Sequence, residues 1–222
     1  MEKQDLNKNV TKDDLNLIFN AIIELNKDLN GLATEIFKIE TDKKLISKSS
    51  IFIFSAINRA IALNNGYIDL CKNENYITAT NLLRLQADNC MRVYAISLVE
   101  DRAKFFEDVL AGKHIRNIKD AEGNKMTDEF LSSQLDKLFV GFKSLYRNTS
   151  GFIHFSNEHL NLNRKTSFED DILTNELLIN GQHHYRIEHK VDFAYNMHLV
   201  GTELYRLIRG YKLHVFDVMK NY

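Results

Sequence analysis

The stretch Leu145 to His159, LYRNTSGFIHFSNEH, is the densest cluster of polar and reactive residues in the chain. Arg147 is followed by Asn148, and His154 comes seven positions after the arginine. Seven helical steps of about 100° fall only about 20° short of two turns, so Arg147 and His154 would share one face about 10 Å apart. A histidine acts as general acid or base near neutral pH, and an arginine stabilises the charge that develops on a phosphorane. The pair suits phosphodiester cleavage by a ribose 2′-hydroxyl, which needs no metal. At that separation it cannot close a site from one chain alone. Further cations, or a second copy of the helix, must complete it.

A second constellation is RLQADNCMR, where Arg84, Asp88 and Arg92 follow one another at i, i+4 steps. One reading is intrahelical ion pairing, worth a few tenths of a kcal/mol per pair. The other is a positioning or phosphate-binding group. Leu82, Leu83, Leu85, Ala87, Cys90 and Met91 leave little of this helix polar, so the ladder is partly buried, and buried charges demand partners. The ladder is expected beside the Arg147–His154 face, with Tyr94 and Tyr146 as neighbours or core residues.

The RNTSGFIH motif, on a late helix of a mainly helical chain, resembles the signature of the HEPN superfamily. That signature is an Arg, often followed by a polar residue, with a His after four to six intervening positions. Here Asn148 stands in the polar position and six residues intervene; Ser150-Gly151 departs from a smooth helix. Roughly residues 80–160 are also similar to uncharacterised bacterial helical proteins. The resemblance implies a helical bundle and a metal-independent endoribonuclease of toxin or defence type. Arg147 and His154 would be catalytic, with Asn148 supporting them. It further implies RNA as substrate, a homodimer whose two motifs face one composite site, and an antidote or defence partner protein. Two other readings stand beside it. One is a noncatalytic helical module whose polar face binds nucleotide, RNA or a protein, with binding lost on changing Arg84, Arg92 or Arg147; Asp88 and Tyr146 join Arg84 and Arg92 as binding candidates. The other is a purely structural protein, with His154 packed at the helix end and Arg147 at the surface.

Other chemistries fit poorly. HFSNEH spaces its residues H-x-x-x-E-H, one off the helical zinc patterns. His183 and His189 share strand parity while His184 faces the other way, so the three do not converge on a metal. With no Gly-rich phosphate loop, GxSxG elbow, CxxC pair or dinucleotide fingerprint, no cofactor or metal is expected.

These residues need a scaffold. The chain has 222 residues, enough to bury roughly 70% of its unfolded surface without disulfide or metal. With 29 basic and 30 acidic residues, no whole-molecule field draws it to nucleic acid or an anionic membrane, though a local basic groove remains compatible. Cys71 and Cys90 stand alone in apolar segments and read as reduced buried thiols. The polar start MEKQDLNKNVTKDD does not read as a targeting segment, and no apolar run reaches 18 residues, so a cytoplasmic protein with no membrane span is expected. Proline is absent. Helical patterns run from Thr11, over 47–72, from Thr78 or Thr80 to Gly112 with a bend near Glu100, over 127–155, and over 193–219. Asn180-Gly181 signals a hairpin near 173–189, and 156–171 reads as a loop. The expected fold is mainly α, a single domain over 1–222, with four to five long helices and that small β-hairpin.

Overall fold

A computed structural model describes residues 10–42, 46–153, 160, 164–169, 172–179 and 185–219. It is mainly helical, with one small antiparallel sheet.

Helix α1 (Lys12–Asp42) begins where Thr11 and Asp14 cap each other. Thr11 Oγ1 accepts from the Asp14 amide at 3.3 Å, and Asp14 Oδ2 accepts from the Thr11 amide at 2.8 Å. Leu15, Phe19, Ile22, Leu25, Leu29, Leu32 and Ile36 form its buried stripe, three or four residues apart. Helix α2 (Lys48–Lys72) starts at Ser47, whose hydroxyl accepts from the Ser50 amide. It belongs to the core, yet Ile51 in its apolar run remains exposed. A tight turn, with Glu74 at φ 57°, leads to α3 (Tyr76–Tyr94).

These three helices and the last, α7 (Ile187–Met219), form a ring in which α1 touches α2, α2 touches α3, α3 touches α7 and α7 touches α1. Lys212 pairs with Glu35, and Gly201 lies against Leu25, so α7 runs parallel to α1. Lys190 over the Tyr76 ring and Gly201 beside Gln86 make it parallel to α3 as well. An up-down-up-up bundle needs a long crossover to return the chain to its starting end. That crossover carries α4 (Arg102–Leu110), α5 (Asp128–Asp136) and α6 (Phe142–Ile153), then strands β1 (Arg164–Glu169) and β2 (Ile172–Leu177). Helix α4 packs on α2, and α5 and α6 pack on α3 and on each other.

A polar layer crosses the bundle's middle. Asn64 Nδ2 donates to Asn26 Oδ1 at 2.7 Å, and Gln86 Nε2 donates to Asn64 Oδ1 at 3.0 Å. Asn89 donates to the Ala56 carbonyl at 2.9 Å. Buried polar groups of this kind fix which helices are neighbours, because each is costly to leave unmatched.

Three sequence-based expectations need correction. The helix expected over 127–155 is two: Gly141, at φ +97°, breaks it, and α6 starts at Phe142. The pattern running to Gly112, read as one helix or as two with a bend near Glu100, is two, with Asp101 capping α4. There are thus four long helices and three short ones among the described residues. The hairpin lies earlier than 173–189. Arg164 pairs with Leu177 and Glu169 with Ile172, so the connection falls at 170–171. Residues 164–169, read as loop, are its first strand, and α7 begins at Ile187, so His189 is an exposed helical residue. Asn180 and Gly181 lie outside the described residues. The residues before them, Ile172–Leu177, pair with Arg164–Glu169.

Candidate active face

Helix α3 presents Arg84, Asp88 and Arg92 along one side, four residues apart. The ladder is only partly intrahelical. Arg92 Nη2 donates to Asp88 Oδ1 at 2.7 Å, while Arg59 of α2 approaches Asp88 Oδ2 at 3.3 Å. The same Arg92 Nη2 donates to Asp128 Oδ1 at 2.6 Å, tying α3 to the first residue of α5. Burial opposes the Arg92 charge, yet Asp88 and Asp128 outweigh it and raise its pKa. Asp128 shows the complement: burial raises its carboxyl, but the Arg92 hydrogen bond and charge carry it below the ordinary value.

Arg84 takes no part in that pairing. Its guanidinium lies over the Tyr146 ring, Cζ 3.1 Å from the centroid, and its Nε donates to Ser150 Oγ at 3.3 Å. Among the described residues it forms no salt bridge. Burial is the main reason its pKa falls, and it outweighs the opposing pull of the Asp88 and Asp128 charges nearby, so this cation is half withdrawn from water with no carboxylate in direct contact among the described residues. Tyr146 is itself buried, and burial raises its phenol pKa well above the usual value. Asp128 is near enough to add to that shift, although the Tyr146 hydroxyl has no well-formed hydrogen bond.

One helical step along α6, Arg147 is exposed, and its Nη2 donates to Glu129 Oε1 at 2.8 Å. Lys143 reaches the same oxygen at 2.7 Å and Ser133 Oγ at 2.7 Å. Lys143 first and Arg147 second hold the Glu129 carboxyl below its usual pKa. Asn148 is exposed beside Arg147. His154 lies outside the described residues, as do Glu158, His159, His183 and His184.

The structure therefore brings Arg84, Asp88, Arg92 and Tyr146 together with the helix that bears Arg147 and Asn148. Sequence reasoning missed Asp128, Glu129, Lys143, Ser150 and Arg59. Asp128 and Glu129 read as dipole-favoured acids of a helix start, which they are, but each also holds an arginine from another place. Adjacent acids opening a helix just after a charged connection were the available signal; their partners were not readable without the crossover's path. Tyr94, the other tyrosine near the ladder, is a core residue.

Among the described residues no group of His, Cys, Asp and Glu is arranged to hold a metal ion, and no helix is long and apolar enough to cross a membrane. Fold and face together define a helical bundle with a cationic, tyrosine-backed surface where α3, α5 and α6 meet. No family model, no curated protein and no solved structure matches the chain.

Proposed function

We propose that this face binds RNA phosphates and that the chain is a metal-independent endoribonuclease of toxin or defence type. The observation that supports it is Arg84, a half-buried cation stacked on Tyr146 with no carboxylate partner among the described residues. A phosphate oxygen would supply the direct anionic contact that Asp88 and Asp128, engaged with Arg92, do not give it. Arg147 is exposed one step away and is held only by an exposed ion pair, which a phosphate can replace at little cost. In this reading Arg84 and Arg92 seat the backbone, Arg147 stabilises the phosphorane, Asn148 supports it and His154 moves the proton. A second copy of the chain completes the site, because seven helical steps would set the two side chains about 10 Å apart along one helix.

The exposed Glu129 bridge to Arg147 and Lys143 favours a second reading, a noncatalytic module on which nucleotide, RNA or an acidic protein segment displaces Glu129. RNA cleavage in EDTA separates the two. Wild type should cut, while Arg147→Ala and His154→Ala should lose cleavage and keep their helical content. If His154→Ala cleaves at the wild-type rate, the enzymatic reading fails. RNA binding without turnover at any protein concentration would leave the noncatalytic module.

A further inference from the structure

The β1–β2 hairpin stands off the helices. Every residue of β2 is exposed, and among the described residues no helix packs on the hairpin to an extent comparable with the pairing of its own strands. A lone pair of strands is marginally stable in water, and a further strand or a covering element normally supports it. The register separates two faces. Thr166 and Phe168 share one with Leu173 and Leu177, and the three apolar members are 62–70% exposed. Lys165, Ser167 and Glu169 hold register positions on the other. Side-chain bonds cross each face, Thr166 to Asn175 at 2.8 Å and Ser167 to Thr174 at 2.6 Å.

The same register says which backbone groups are free. Glu169 and Ile172 close the hairpin, so they form a hydrogen-bonded pair, because no pair lies beyond them. Bonded and non-bonded pairs then alternate. Lys165, Ser167 and Glu169 spend their N–H and C=O groups on β2, while Thr166 and Phe168 turn theirs to the outer edge of β1. Among the described residues no strand covers that edge.

We propose that the outer edge of β1 pairs with the same edge of a second copy of this chain, giving a four-stranded antiparallel sheet in the order β2-β1-β1-β2. A two-fold axis perpendicular to the sheet keeps like faces together, so each residue must oppose one from its own face. Centred on Ser167, the pairing sets Thr166 opposite Phe168 of the second copy, and these residues exchange the free backbone bonds. It also sets Lys165 opposite Glu169 of the second copy, and the symmetry repeats that match. Both fall at non-hydrogen-bonded positions of the new ladder, where facing side chains come closest. Centring on Thr166 or Phe168 instead would set Ser167 against Lys165 or Glu169 and leave the charges unmatched. The edge of β2 offers no such match, since Glu176 is its only charge. Inside the hairpin Glu169 has Ile172 opposite it, so the second copy supplies the cation that β2 does not. The two Phe168 rings become diagonal neighbours on the apolar face, within reach of each other. This self-match singles out a second copy over an unrelated partner. The pairing stands on the hairpin and not on the RNA reading, for which it would supply the second copy.

Sedimentation velocity of the full chain at increasing concentration tests the pairing. Wild type is expected to pass from monomer to dimer. Lys165→Glu sets like charges at both symmetric positions, as does Glu169→Lys, and each should weaken the dimer about tenfold or more. An equimolar mixture of the two variants restores both opposite-charge pairs and should dimerise better than either alone. Because Lys165→Glu also opposes Glu176 within its own hairpin, this rescue carries the test: a hairpin that had merely come apart would not be rescued. Thr166→Pro removes an N–H that β2 does not use, and should abolish the dimer with an unchanged helical circular dichroism signal. The proposal is overturned if wild type stays monomeric, if its dimer is indifferent to Thr166→Pro and to both charge changes, or if the mixture dimerises no better than either variant. A dimer with these responses that does not cleave RNA supports the pairing all the same, so the two readings fail separately.

Discussion

Replacing Arg84 with methionine separates a cation kept for packing from one kept for a ligand. Methionine retains much of the apolar contact with Tyr146 and removes the charge. The folded protein loses a cation–π contact worth about 1–2 kcal/mol for a half-desolvated pair, and a long hydrogen bond to Ser150 worth about 0.5–1 kcal/mol. Against this, the variant no longer withdraws a guanidinium from water, a relief of order 1 kcal/mol. The net loss should stay within about 2 kcal/mol, which for a chain of this length lowers the melting temperature by less than about 8 °C. The effect on binding is of another kind. If Arg84 neutralises one phosphate, the slope of log affinity for single-stranded RNA against log salt should become shallower by about 0.7. Arg84→Lys should recover that slope, because it keeps the charge, without recovering the stack. The measurements are thermal melts and fluorescence titrations of a labelled single-stranded RNA between about 50 and 200 mM salt. A salt slope unchanged by Arg84→Met refutes the role, whatever the melting temperature does.

Three further outcomes follow from the packing and the charges. Gly201→Ala should lower the melting temperature: a Cβ there would sit 2.8 Å from Leu25 Cδ2, and overpacking of about 1–3 kcal/mol exceeds or cancels the roughly 1 kcal/mol gained in helix propensity. Gly210→Ala, with open space around it, should raise it by that propensity gain; equal shifts in the two would refute the tight approach of α7 to α1. Asp128 has its folded pKa lowered by Arg92 after burial has raised it, so its pairing stabilises the fold above the unfolded carboxyl value of about 3.9 and is lost as pH falls through the lower folded value. Melting curves of wild type and Asp128→Asn should therefore differ at pH 6 and converge toward pH 2. Cys71, whose thiol burial pushes to about 12, and the fully buried Cys90 should stay unreactive to Ellman's reagent in the native protein, and two thiols should react after denaturation.

What could be read in advance follows from how local each signal is. The starts of α1, α2 and α5 were legible because Thr11, Ser47 and Thr127 cap them within three residues. The split between α5 and α6 was visible only as a glycine in an apolar helical pattern, a mark shared with Gly201 and Gly210, which stay inside α7. Deciding between them needs the φ angle, and that is set by packing. The candidate site divides in the same way. Arg84, Asp88 and Arg92 are one helix face by spacing alone, and Arg147 lies on another by the same rule. That Asp88 would share Arg92 with Asp128, and that Arg84 would leave the ladder for Tyr146, depends on the crossover that returns the chain to the foot of α7.

The crossover makes the α5–α6 turn the joint that sets α6 against the candidate face. Asp136, the final residue of α5, accepts at Oδ1 from the amides of Gly141 at 3.0 Å and Lys143 at 2.9 Å, so the end of one helix caps the start of the next. Gly141 holds φ +97°, where a side chain costs about 1–2 kcal/mol. Beyond this turn α6 carries Tyr146 and Ser150 toward Arg84, and Phe142 and Leu145 toward α7. Because α6 is a short helix bound to the bundle on these two flanks, a change in its start displaces both. Asp136→Ala removes two hydrogen bonds worth about 0.5–1.5 kcal/mol each and leaves two amides to water. It should lower the melting temperature by a few degrees and make the RNA salt slope shallower, although Asp136 touches none of the proposed RNA contacts. An unchanged salt slope in a variant whose melting temperature has fallen would show that the turn does not position the face that α6 turns toward Arg84.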